Sequence, residues 1–134
     1  MTIESCRIID IPTVVDEKGE LCFFESNNEL PFDIKRIYYL HGLSKDVRRG
    51  FHAHKQLNQI MVAISGEFKI LLDDGKNKSV FNLSSPKQGL YIRNMIWREL
   101  FDFSDNAVVL VIANQIYKEK DYIRNYEEFI RISK

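Results

Sequence analysis

Arg48-Arg49-Gly50-Phe51-His52-Ala53-His54 places two imidazoles one residue apart. On an extended backbone successive side chains alternate faces, so His52 and His54 enter one cavity together while Ala53 turns the other way. Four residues separate His54 from Gln59, and six separate Gln59 from Gly66. Imidazoles with an ordinary pKa of about 6.5 either exchange protons at neutral pH or ligate a transition metal. Which chemistry applies depends on what else reaches them.

The spacing resembles the first signature of the cupin barrels: His-x-His, three or four residues, Glu, six residues, Gly. Gln59 stands where the glutamate belongs. Metal-holding cupins add a third histidine from a later strand. Here the later motif resembles Pro86-Lys87-Gln88-Gly89 followed by Trp97-Arg98, which sets Arg98 at that place. A guanidinium stays protonated and cannot ligate. A divalent ion about 4 Å from it is repelled by on the order of 8 kcal/mol at an effective dielectric near 20. No metal and no other cofactor are therefore expected. Two histidines, Gln59 and an arginine on one interior face cost free energy unless the cavity is wet or occupied. A polar pocket with imidazoles near their unperturbed pKa suits general acid–base chemistry.

A closer resemblance covers most of the chain. Ile34-Lys35-Arg36-Ile37-Tyr38-Tyr39, Arg49-Gly50-Phe51-His52-Ala53-His54-Lys55 and Leu72-Asp73-Asp74-Gly75 resemble the dTDP-4-keto-6-deoxyglucose 3,4-ketoisomerases. So do Gly89-Leu90-Tyr91, Trp97-x-Glu99, Asp102-Phe103-Ser104 and Asp121-Tyr122-Ile123-Arg124. These are WxcM-like small cupins, sometimes fused to an acetyltransferase, that serve 3-amino-3,6-dideoxyhexose pathways of surface glycans such as O-antigen, lipopolysaccharide or S-layer glycan. The resemblance implies a sugar isomerase acting on a dTDP-linked 4-keto-6-deoxyhexose, without cofactor. It implies His52 and His54 as the acid/base pair, with Tyr39 orienting one of them or relaying a proton. Arg49 would hold the diphosphate with Arg36 nearby, and Gln59, Tyr91 and Arg98 would line the sugar. Some members carry histidine after the tryptophan; Arg98 resembles the group that gives the gluco rather than the galacto product. Two other readings compete: a non-catalytic nucleotide-sugar-binding cupin, and a metal-dependent cupin enzyme with unusual ligands.

The elements that position these residues read as many short strands with turn signals every eight to twelve residues, hence an all-β barrel or sandwich. With the resemblance, the expected fold is a cupin-type double-stranded β-helix, a jelly-roll barrel, with a short C-terminal helix. Residues 3–14 are rich in β-branched side chains, Asp16-Glu17-Lys18-Gly19 reads as a turn, and Leu21-Cys22-Phe23-Phe24 as the returning strand. Ile60–Ile64 and Phe68–Leu72 flank Ser65-Gly66-Glu67, a hairpin pattern closed at its far end by Asp73-Asp74-Gly75. Tyr122, Ile123, Tyr126, Phe129 and Ile130 fall at helical spacing, with Asp121 as the N-cap.

The 134 residues predict one domain over 1–134, large enough to bury a core without staples and with no room for a fused domain. Nineteen basic residues against nineteen acidic leave no net charge, which argues against nucleic acid and anionic membrane as partners but allows a local basic pocket for a phosphorylated small molecule. No apolar run is long enough to span a bilayer, and the start lacks a signal-peptide pattern. Cys6 and Cys22 show neither metal spacing nor a disulfide framework, which predicts a cytoplasmic location. The stretch before Asp16 has no obvious partner sequence of its own, and an open strand edge invites pairing. A homodimer with exchanged N-terminal strands is expected.

Overall fold

A computed structural model describes residues 2–28 and 30–134. Among them the strands are β1 (Arg7–Asp10), β2 (Thr13–Asp16), β3 (Gly19–Cys22), β4 (Arg36–Leu40), β5 (Arg49–His54), β6 (Gln59–Ser65), β7 (Phe68–Asp73), β8 (Lys78–Leu83), β9 (Gln88–Ile92), β10 (Trp97–Phe101), β11 (Val108–Ala113) and β12 (Tyr122–Ile123). One α-helix, α1 (Tyr126–Ile132), lies near the C-terminus. The expected all-β jelly-roll architecture with a short C-terminal helix is what the strands build.

Two five-stranded sheets face each other, ordered β1-β9-β6-β11-β4 and β12-β5-β10-β7-β8. Alternation along each strand decides what lies between them. From the first sheet Met61, Ala63, Leu90, Ile92, Val109 and Val111 point inward; from the second come Phe68, Ile70, Leu72, Leu83 and Leu100. Apart from Ala63, each such side chain, fully buried, contributes roughly 1.5–3 kcal/mol. The intervening residues Ile60, Val62, Tyr91 and Ile112 face outward and are covered by Ile11, Leu30 and Phe32. On the outside of the second sheet Ala53, Trp97 and Ile123 pack against Phe129 of α1.

Three local expectations are corrected. Strands β6 and β7 do not pair with each other. From the turn at Gly66 they part into opposite sheets, β6 beside β9 and β11, β7 beside β10 and β8. The turn is tight, since a Cβ on Gly66 would sit 2.3 Å from Ser104 Oγ, and its φ is +68°. The true hairpin comes one strand later, β7 to β8 across Gly75.

The C-terminal helix starts four residues later than expected. Asn125, not Asp121, is the N-cap, its side chain accepting from the Glu128 N–H. Tyr122 and Ile123 are extended and pair with His54 and Ala53.

The N-terminal stretch also has a partner within its own chain. Arg7–Asp10 runs antiparallel to β9, Ile8 opposite Leu90. Strands β2 and β3 form a separate two-stranded ribbon. Its Val14, Val15 and Leu21 are 56, 65 and 59% exposed.

Candidate active site

Strand β5 carries the site, and its irregularity is what makes the site. Residues three apart on a regular strand face opposite sides, yet Arg49 and His52 line the same cavity. His52 sits opposite Arg98, Gly50 opposite Glu99 and Arg49 opposite Leu100, so Phe51 is one residue more than β10 can match. This is a β-bulge. Gly50 and Phe51 both take positive φ, +96° and +56°. A Cβ at Gly50 would lie 2.8 Å from the Arg98 carbonyl oxygen, so only glycine fits. Positive φ is unfavourable for phenylalanine, and such strain gathers where function demands a particular side-chain aim.

A cavity of about 350 Å³ opens between the two sheets. Its walls bring together His52, three arginines (Arg36, Arg49 and Arg124) and two tyrosines, Tyr38 and Tyr122; Leu40, Met61, Leu100 and Val111 supply apolar lining. Arg124 is held in place by Glu119, Nε to Oε1 at 2.8 Å and Nη2 to Oε2 at 3.0 Å. Its guanidinium lies 4.2 Å from the Tyr122 ring centroid. Arg36 stacks between Tyr38 and Tyr117 at 4.8 and 5.6 Å, and its Nε is buried without a partner. Three guanidinium groups around one opening make a strongly anion-attracting mouth on a chain of zero net charge.

The two histidines are held differently. Nδ1 of His52 lies 3.0 Å from the Gly50 carbonyl oxygen, which can only accept. That nitrogen therefore carries the proton of the neutral ring, leaving Nε2 bare. His54 is fully buried, and its Nδ1 lies 3.1 Å from Asp121 Oδ2. The His54 ring stands at 88° to the His52 ring with centroids 4.9 Å apart, and Tyr122 packs on both, at 5.0 Å from His52 and 4.4 Å from His54. Burial, and then the Arg98 charge, push His52 down to about 3 and His54 well below the usual imidazole range. The expectation of near-unperturbed imidazoles is corrected: both rings are neutral at pH 7 and free to accept a proton, but a base lowered this far needs a neighbouring negative charge to hold the proton it takes.

Arg98 is fully buried beneath the pair. Its Nε donates to the His52 carbonyl at 3.1 Å, Nη2 to the Ile96 carbonyl at 3.1 Å, and Nη1 to Gln59 Oε1. Burial lowers it to about 10, which leaves it charged at neutral pH. Gln59, also fully buried, turns its Nε2 to Tyr38 Oη at 3.4 Å. Gln59 and Arg98 thus form a layer behind the cavity and do not line it, contrary to expectation. This donor set suits no transition metal: a neutral amide and a guanidinium accompany the histidines, and among the described residues no three His, Cys, Asp or Glu side chains converge.

Two further expected site residues lie elsewhere. Tyr39 is 64% exposed on the outer face of β4, next to His41. Its register partner is Leu110, whereas Tyr38 pairs with the inward Val111, so Tyr38 is the tyrosine that reaches the cavity. Tyr91 lies in the outer apolar cluster against Phe32, under the Arg7 guanidinium. The residues missed were Tyr38, Asp121, Tyr122 and Arg124. A period-2 signal was available at 121–124, where Tyr122 and Arg124 face the cavity and Ile123 packs on α1.

Comparison with known proteins agrees with this geometry. The family model described as FdtA, WxcM-like, C-terminal matches residues 4–134. A curated TDP-4-oxo-6-deoxy-alpha-D-glucose-3,4-oxoisomerase of Aneurinibacillus thermoaerophilus is 41% identical over 123 residues, 92% of this chain and 88% of that one. The 3,4-ketoisomerase QdtA of Thermoanaerobacterium thermosaccharolyticum, solved as a histidine-to-asparagine variant with TDP-4-keto-6-deoxyglucose, superimposes with a TM-score of 0.95 at 38% identity, over 98% of this chain and 96% of that one. The TDP-quinovose 3,4-ketoisomerase WlaRB of Campylobacter jejuni gives 0.93 at 43% identity, over 96% and 99%. By a match spanning nearly its whole length, then, the chain belongs to the FdtA, WxcM-like family of sugar 3,4-ketoisomerases and is an isomerase.

Proposed function

We propose that this chain converts dTDP-4-keto-6-deoxy-D-glucose to the dTDP-linked 3-keto sugar by acid–base chemistry at His52. The observation that carries the reading is a neutral imidazole, its Nδ1 on a carbonyl oxygen and its Nε2 bare, set in a cavity ringed by three arginines. Arg49, with Arg36 and Arg124, binds the diphosphate through charge-assisted hydrogen bonds. Nε2 of His52 takes the proton from C3 while the C4 oxygen gains one, giving a 3,4-enediol. Return of a proton to C4 and loss of the O3 proton complete the isomerisation with no net redox change. The Tyr38 hydroxyl, backed by Gln59, is the nearby group able to relay a proton between the two oxygens. His54, behind His52, works through its neighbour.

A gluco product is proposed with it, on the identity of Arg98 in the layer behind the cavity. Arg98 does not line the cavity, so its influence on C4 protonation would run through its fixed positive charge and the Gln59 amide it holds. The likeness to a TDP-quinovose enzyme supports this, since quinovose is 6-deoxyglucose. Incubation with dTDP-4-keto-6-deoxyglucose followed by proton NMR tests both claims: a 3-keto product with a large H4–H5 coupling is expected, and a small coupling marks galacto.

The exposed Val14, Val15 and Leu21 of the β2–β3 ribbon support a homodimer joined through the N-terminal strands. Strand exchange would carry the β1–β9 register from one copy to the other. Among the described residues no helix is long and apolar enough to cross a membrane. Two free thiols, Cys6 buried and Cys22 exposed, support a cytoplasmic location.

A further inference from the structure

Asp121 stands 67 residues from His54 in sequence and gives all three of its oxygens to His54 and the three residues after it. Oδ1 accepts from the Gln56 N–H at 2.8 Å; Oδ2 accepts from the Leu57 N–H at 3.3 Å and from His54 Nδ1 at 3.1 Å. Its main-chain carbonyl accepts from the Lys55 N–H at 2.8 Å. Three consecutive backbone donors after His54 are thus tied to one residue, which fixes both the end of β5 and the His54 ring.

Both carboxylate oxygens of Asp121 already accept from backbone N–H groups, so toward His54 Oδ2 acts as an acceptor again and dictates the tautomer: proton on Nδ1, lone pair on Nε2. That Nε2 is buried and has no hydrogen-bond partner. A histidine kept only for packing would be expected to satisfy it, since a buried unpaired acceptor is costly. Here an unprotonated nitrogen is kept in the ring beside His52, above the buried Arg98.

We propose that Asp121 is a positioning residue of the isomerisation: it locks His54 as the Nδ1–H tautomer, so that an electron-rich ring backed by a carboxylate stabilises His52 while His52 carries the C3 proton. The fixed charge of Arg98 disfavours that imidazolium, and the Asp121–His54 couple offsets it. The inference rests on the ketoisomerase reading with His52 as base.

Long-range nitrogen–proton NMR on the wild-type protein reads the tautomer directly. His54 is expected to show a protonated Nδ1 and an unprotonated Nε2; the reverse overturns the proposal. In Asp121→Asn one oxygen replaces two, and an amide N–H turned to His54 drives its proton to Nε2. The expected result is that tautomer change with a kcat loss of at least about 100-fold and KM for the nucleotide sugar within about threefold. An Asp121→Asn protein that folds and keeps kcat within about threefold of wild type overturns the proposal. Should the variant fail to fold, the wild-type tautomer decides. His52→Asn separates the two levels: if it retains turnover, the His52 reading falls; if it is dead while folded Asp121→Asn is active, only this inference falls.

Discussion

The ring of His54 stands edge-on to that of His52, centroids 4.9 Å apart, yet only His52 reaches the cavity wall. Their roles are therefore unequal. His52→Asn should lower turnover by at least about 1,000-fold and stop the C3 proton of the bound sugar from exchanging into D2O. His54→Asn should slow turnover while exchange at C3 continues at a reduced rate. Proton NMR of the C3 position over time distinguishes the two, and equal exchange in both variants counts against His52 as base.

Arg49→Ala should weaken nucleoside diphosphate binding by roughly 10- to 100-fold, the expected loss for one charge-assisted phosphate contact, and change kcat less. Calorimetric titration with dTDP measures this. An unchanged Kd removes Arg49 from the phosphate site.

Tyr38→Phe should cut kcat, because its hydroxyl lines the cavity and pairs with Gln59. Tyr39→Phe should leave kcat at the wild-type level in the same assay, because that ring lies on the outer face. Loss of activity in Tyr39→Phe alone would reverse the assignment.

Stability should fall as the solution is acidified. His52 is lowered to about 3 in the folded chain, so between that value and about 6.5 the unfolded chain binds the extra proton. The contribution of the neutral ring is fully present above about pH 6.5 and is lost as pH falls toward 3. From His52 alone the loss between pH 6.5 and 4.5 is about 2 kcal/mol. His54, lowered further still, acts in the same direction. Urea titrations at the two pH values check it, and His52→Asn should flatten the dependence.

Val15→Asp should shift the protein from dimer to monomer at micromolar concentration, read by light scattering after gel filtration. Val15 is 65% exposed on the β2–β3 ribbon, so the charge costs an isolated chain little. A wild-type monomer at that concentration removes the dimer.

Legibility in the sequence followed locality. For His52-Ala53-His54 strand alternation gives the outward Ala53, which packs under α1, and the inward His52; the expectation that both rings enter the cavity is corrected, because His54 is fully buried behind His52 and off the wall. Ile37-Tyr38-Tyr39-Leu40 gave no such guidance: apolar and aromatic residues occupy both faces, so the choice between Tyr38 and Tyr39 needed the register with β11. Tyr91 is ambiguous for the same reason, on a strand buried on both sides. Tyr122 and Ile123 satisfy the helical period of the following residues as well as a strand, and pairing with β5 decides for the strand. The contact between Asp121 and His54 is set by the closing of the barrel, which no local pattern encodes.

The bulge at Phe51 has a consequence for chain length. In most strands of a two-faced sheet, adding or dropping one residue turns every side chain beyond it inside out. On β5 the spare residue absorbs that parity: with Phe51 set aside, Arg49 and His52 fall two ladder steps apart and still share a wall. A one-residue gap placed here, in an alignment of relatives or in a redesigned barrel, leaves inside as inside. The same gap at Ala53 would turn His54 outward.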